Sequence, residues 1–186
     1  MRLFLAFTPA PALLKEIRDY TYRLTKELEG WIVRIPPPEN IHMTLAFMGS
    51  CSPDKIPTIK DLLKIVSLET RKFKLRVGPT CFFPSEKKIS GAWVSLEAGK
   101  TLIALKKRLD EELQNLKIFQ PRPGKFKPHL TIMRVKKRGN ISETCRSYMK
   151  NYCFENLMKC SAIELFESKT LPSGAVYRKI FSVDLK

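Results

Sequence analysis

The run Leu3-Phe4-Leu5-Ala6-Phe7 contains no polar residue and stops short of Pro9, the pattern of a short buried strand. From Ala10 to Glu29 the apolar period changes: Leu13, Ile17, Leu24 and Leu28 recur at helical spacing, and Gly30 stands where a helix C-cap belongs. "WIVRIP" and "IHMTLAF" then read as two strands separated by Pro36-Pro37-Pro38, whose fixed φ and missing N–H groups make a stiff connection. A second helix is expected near Pro53 to Leu68, with Ile56, Ile59, Leu63 and Val66 on one face. Phe73, Leu75 and Val77 alternate with basic residues as a half-exposed strand, and "TCFFPS" and "SGAWVSLEA" flank a basic turn at Glu86-Lys87-Lys88. Lys100 to about Asn115 is helical, with Leu102, Leu105, Leu109 and Leu113 as its stripe. "LKIFQP" and "HLTIMRV" are expected as strands around the Pro-rich connection "QPRPGKFKP".

This order repeats. The chain has two histidines, 87 positions apart, and each is followed two residues later by threonine and then by an aliphatic residue: His42-Met43-Thr44-Leu45 and His129-Leu130-Thr131-Ile132. The same offset carries the Leu3–Phe7 strand onto Ser90–Val94 and the first helix onto the Lys100 helix. The expected fold is α+β, a single bilobal domain over residues 1–186. Two pseudo-symmetric lobes of duplicated β-α-β-β units would set antiparallel sheets across a central cleft, with helices outside.

Charge changes the picture from fold to partner. Lys and Arg number 34 against 18 Asp and Glu, a net charge of +16, which points to polyanions. Five cysteines without a CxxC spacing suggest neither a disulfide framework nor a zinc site, and fit a reducing cytoplasm. Arg2, the apolar run and Ala10-Pro11-Ala12 imitate a signal peptide, but the run is too short for one. No stretch has the length of a membrane span, and a monomer is expected.

Strand parity gives the histidines a direction. Ile41, Met43, Leu45 and Phe47 should face the core while His42, Thr44 and Ala46 face the cleft, and Leu130 and Ile132 should turn inward from His129 and Thr131. Two imidazoles near neutral pH allow one ring to accept a proton while the other donates one. Such a pair hydrolyses a phosphodiester without metal or cofactor: one histidine deprotonates water, the other protonates the departing ribose oxygen. Thr44 and Thr131 would donate to the non-bridging phosphate oxygens. Two histidines without a recurring third ligand make a poor zinc site.

Paired His-x-Thr motifs in a duplicated chain of this length resemble the 2H phosphoesterase superfamily. "NIHMTLAFMG" and "KPHLTIMR", with "MRLFLAF" and "ELFESKTLPSGAVYRKIFSVDL" at the ends, look like its RNA 2′,3′-cyclic phosphodiesterase branch, also called 2′-5′ RNA ligases. The resemblance implies an active site of His42, Thr44, His129 and Thr131. It implies hydrolysis of a 2′,3′-cyclic phosphate to a 2′-phosphomonoester, with weak reversible 2′-5′ ligation in some members. It also implies a phosphate contact from Arg134, which parity places with Leu130 and Ile132 on the core face; only a bulge or strand end would turn it to the cleft.

Around the second motif, Arg122, Lys125, Lys127, Lys136, Lys137 and Arg138 form a candidate track for an RNA backbone, with Phe126 a candidate for stacking on a base. The expected partners are RNA, tRNA fragments included, or small cyclic nucleotides. Two other readings use the same residues: a non-catalytic RNA-end-binding module, and a phosphodiesterase for 2′-5′ oligonucleotides or other cyclic nucleotides.

Overall fold

A computed structural model describes the chain except for residues 86–87, 121–123 and 173. In chain order the elements are β1 (Arg2–Phe7), α1 (Pro11–Lys26), β2 (Ile32–Arg34), β3 (Met43–Ser50), α2 (Lys55–Glu69), β4 (Phe73–Leu75), β5 (Val77–Pro84), β6 (Ile89–Leu96) and α3 (Lys100–Asn115). There follow β7 (His129–Lys137), α4 (Glu143–Asn151), β8 (Met158–Cys160), β9 (Ala162–Leu171) and β10 (Gly174–Asp184). Two antiparallel four-stranded sheets carry the fold, ordered β10-β9-β1-β3 and β2-β7-β6-β5; β4 and β8 form a separate two-stranded ribbon.

The unbroken apolar run of β1 follows from its central place in the first sheet. Leu3, Leu5 and Phe7 enter the main core, while Phe4 and Ala6 face the other way into a smaller cluster with Phe166, Phe47 and Tyr177. The main core also takes the helical stripes, including Leu13, Ile17 and Leu24 of α1 and Leu102, Leu105, Leu109 and Leu113 of α3, all buried. The chain is α+β with helices on the outer faces of antiparallel sheets, as its patterning predicts.

How helices and strands are shared between the sheets is not visible in the sequence. α1 follows β1 of the first sheet yet packs on β7 of the second, and α3 follows β6 of the second yet packs on β3 of the first. Strand β2 likewise leaves its neighbours in sequence and becomes the outer partner of β7. The 87-residue offset persists in the pairing register, since Thr44 lies opposite Ala6 and Thr131 opposite Trp93.

Three local expectations differ from the structure. "LKIFQP" is not a strand: Leu116 caps α3, Lys117 adopts φ 55°, and the N–H groups of Ile118 and Phe119 both turn back to the Leu113 carbonyl. Helix α1 stops at Lys26, and Gly30, at φ 71°, lies beyond it in the turn that enters β2. Helix α4 went unpredicted because it is short and polar, although the Ser142 hydroxyl accepts from the Cys145 N–H as an N-cap does, with Glu143 in its first turn.

Candidate active site

Both motif strands open toward one cavity of about 330 Å³. Its walls include His42, Thr44 and Phe47 from the β3 side, His129, Thr131 and Arg134 from β7, Phe4 from β1, and Tyr177 from β10. Arg34, Pro36, Pro37 and Asn40 also line it, and the Asn40 side-chain amide donates to the Ala175 carbonyl at 3.0 Å, tying the β2–β3 connection to β10.

Each strand makes the same departure from regular pairing. Between β1 and β3 the register passes from Ala6 opposite Thr44 to Leu5 opposite Ala46, leaving Leu45 as an extra residue. Between β6 and β7 it passes from Trp93 opposite Thr131 to Ala92 opposite Met133, leaving Ile132 extra. A bulge of this kind sends two consecutive side chains to the same face and resets the alternation. Leu45 and Ala46 are accordingly both buried, as are Ile132 and Met133. The parity expectation fails from that point: Ala46 goes to the core, Phe47 comes to the cavity, and Arg134 joins it there.

The imidazoles are anchored alike. His42 stands one residue before β3 and His129 begins β7; each places Nδ1 on the backbone carbonyl two residues upstream, Asn40 at 2.8 Å and Lys127 at 2.7 Å. A carbonyl only accepts, so Nδ1 carries the hydrogen and Nε2 is left as the ring's free nitrogen. Aromatic rings back both: Phe4 at 4.8 Å and Tyr177 edge-on at 5.1 Å for His42, Trp93 at 4.3 Å for His129.

Both rings titrate below the ordinary imidazole value. Burial is the main cause for His42; the Asn40 carbonyl opposes it, the charge of His129 adds to it, and Glu164 pulls weakly the other way. Burial also leads for His129, opposed by the Lys127 carbonyl and reinforced by the Arg134 guanidinium. Because each positive charge disfavours the next, the doubly protonated state is suppressed, and the pair favours holding one proton or none. One neutral and one protonated ring flanking two hydroxyls and a guanidinium is an arrangement suited to in-line displacement at a phosphorus centre.

The other expected residues lie elsewhere. Lys125 and Lys127 are exposed and outside the cavity wall. Phe126 is half-buried against the core with the Lys106 ammonium 5.3 Å from its ring centroid, and it is not part of the cavity wall. Arg122 falls outside the described residues. Lys136, Lys137 and Arg138 are exposed at the far end of β7. Sequence reasoning missed Phe4, Arg34, Asn40 and Tyr177, all on the cavity wall; Arg34 sits in a three-residue strand too short to show parity. Among the described residues no cluster of three or more His, Cys, Asp or Glu is placed to hold a metal, and no helix is long and apolar enough to cross a membrane.

The chain is similar to known proteins along most of its length. The sequence pattern described as "2'-5' RNA ligase superfamily" matches residues 9–170. An RNA 2′,3′-cyclic phosphodiesterase of Methanocaldococcus jannaschii is 29% identical over 184 residues, covering 97% of this chain and 98% of its own. Among solved structures, TT0787 of Thermus thermophilus superposes with a TM-score of 0.84 at 22% identity, covering 100% of this chain and 98% of that one. Escherichia coli LigT complexed with 3′-AMP does so at 0.76 and 19%, covering 99% and 97%.

Proposed function

The chain belongs to the 2′-5′ RNA ligase superfamily, the 2H phosphoesterases, and from that premise we propose that it hydrolyses RNA 2′,3′-cyclic phosphate ends to 2′-phosphomonoesters by paired histidine acid–base catalysis. The naming of the M. jannaschii relative as an RNA 2′,3′-cyclic phosphodiesterase supports the activity. The observation that carries the mechanism is the convergence of His42, Thr44, His129, Thr131 and Arg134 on one cavity, with each imidazole held by Nδ1.

In the proposed step the neutral histidine takes a proton from water through Nε2 while the water oxygen bonds to phosphorus. The bond from phosphorus to the ribose 3′ oxygen breaks, and the protonated histidine donates its Nε2 proton to that oxygen. The phosphate stays on the 2′ oxygen, and the proton has moved from one ring to the other. Thr44, Thr131 and Arg134 donate to the non-bridging oxygens, whose charge grows in the transition state. No step needs a metal. With a 5′-hydroxyl RNA end attacking phosphorus in place of water, the same displacement of the 3′ oxygen would make a 2′-5′ link.

A product assay tests this directly. RNA ending in a 2′,3′-cyclic phosphate should yield the 2′-phosphate, at a rate unaffected by a chelator. A 3′-phosphate product, or binding without turnover as a passive RNA-end-binding module would show, overturns the reading.

A further inference from the structure

Arg34 lies directly opposite Arg134 across the β2–β7 pairing, and both side chains line the cavity. Like charges placed opposite each other on antiparallel strands repel. Among the described residues, neither guanidinium has a carboxylate partner. Each is instead held by an uncharged surface. Arg134 lies over the Phe83 ring, 5.0 Å from its centroid, and that ring is stacked in turn on Trp93. Arg34 lies across the bare backbone of Gly174, at φ 123°, where any Cβ would collide with the guanidinium group itself. Both cations thus reach one cavity, and among the described residues no carboxylate takes either guanidinium, which leaves each fork for planar, bidentate recognition of a phosphate.

The reacting phosphate does not account for both. Its non-bridging oxygens already face two threonine hydroxyls and Arg134. Arg34 stands one strand farther out than β7, with its guanidinium at Gly174 of β10 on the other sheet. An anion reaching it belongs to the substrate beyond the scissile group. We propose that Arg34 binds a second phosphate of the substrate, the phosphodiester immediately 5′ of the cyclic end, while Arg134 stays with the reacting phosphate. This assignment rests on the function proposed above. It makes the site selective for RNA ends of two or more nucleotides over a cyclic mononucleotide, which has no such group.

The test compares two dinucleotides ending in a 2′,3′-cyclic phosphate, one joined by a phosphodiester and one by a neutral methylphosphonate, with kcat/KM as the readout. The unaltered protein should prefer the charged linkage by roughly 10- to 100-fold, the size of a hydrogen-bonded charge contact. Arg34→Gln should lose most of that preference, and Arg34→Lys should recover part of it, because the charge returns without the bidentate fork. An R34Q protein that keeps the full preference, or an unaltered protein that treats both linkages alike, overturns the assignment while leaving cyclic-phosphate hydrolysis intact. Absence of turnover on both substrates would instead remove the activity and this assignment with it.

Discussion

Three residues after its threonine, β3 carries Phe47 and β7 carries Arg134, and both reach the cavity because a bulge follows each threonine. The backbone device is the same; the chemistry it delivers is opposite. On the β3 side His42 is surrounded by Phe4, Phe166 and Tyr177, and Phe47 extends that apolar wall. On the β7 side the corresponding place is cationic, and Arg34 adds to it from the next strand. Even the packing that backs the histidines is inverted. The first sheet sets large Phe4 beside small Ala6, whereas the equivalent places in the second hold Gly91 and Trp93, the space at Gly91 being filled by the Phe83 ring. A nearly symmetric backbone therefore makes a site with a direction, one wall apolar and the other built for negative charge.

The sharpest way to break the comparison is to remove what the two strands share. His42→Ala and His129→Ala should each lower kcat on a cyclic-phosphate RNA end by about 10² to 10⁴, the range for one positioned proton transfer. The double variant should be little worse than the poorer single one, because the rings act as a unit. Steady-state rates of the three proteins check this, and a mild loss in either single variant would mean that one ring suffices.

Replacing what the strands do not share should affect each unequally. Arg134→Gln should lower kcat/KM by about 10²-fold, as expected for a donor to developing charge. Phe47→Leu keeps an apolar wall and should cost no more than a few-fold. Equal losses in the two variants would erase the proposed difference between the walls.

Stability should divide the other way. Phe4 is fully buried, so Phe4→Ala should cost about 3 to 5 kcal/mol in denaturant unfolding, the range for a lost core aromatic. Trp93 is only half-buried, and Trp93→Ala should cost less stability while freeing the His129 ring it supports.

The smallest expected effect is on pH dependence. Both imidazoles are pushed below 6.5, the base must be neutral and the acid protonated, so the window of kcat/KM lies on the acid side of that value. Removing the Arg134 charge relieves one cause of the depression, and in R134Q the limb belonging to His129 should move to higher pH. Folding follows the same sign: because burial disfavours the charged rings, stability falls as pH drops through 6.5, and replacing either histidine should soften that loss.

Much of this was legible beforehand because it depends on local periodicity. β1, β3, β6, α2 and α3 appear close to where their apolar patterns put them, and the histidines and threonines of the two motifs do share a cavity. Arg134 shows the limit. Two-residue alternation assigned it to the core, and a single extra residue at Ile132 returned it to the cleft. A bulge is a property of the pairing between two strands, so one strand read alone does not reveal it. The misplacement of Ala46 and Phe47 has the same origin.

The order of apolar and polar residues by itself determined where most strands and helices form, and the doubled His-x-Thr pattern picked out four side chains that share one cavity, because both are written at spacings of two to four residues. Only the tertiary structure decided that α1 and α3 exchange sheets, that β2 crosses over to β7, and that Arg34 thereby meets Arg134 and Gly174. Those contacts join residues fifty or more positions apart, where chain connectivity imposes no spacing and packing alone selects the partner.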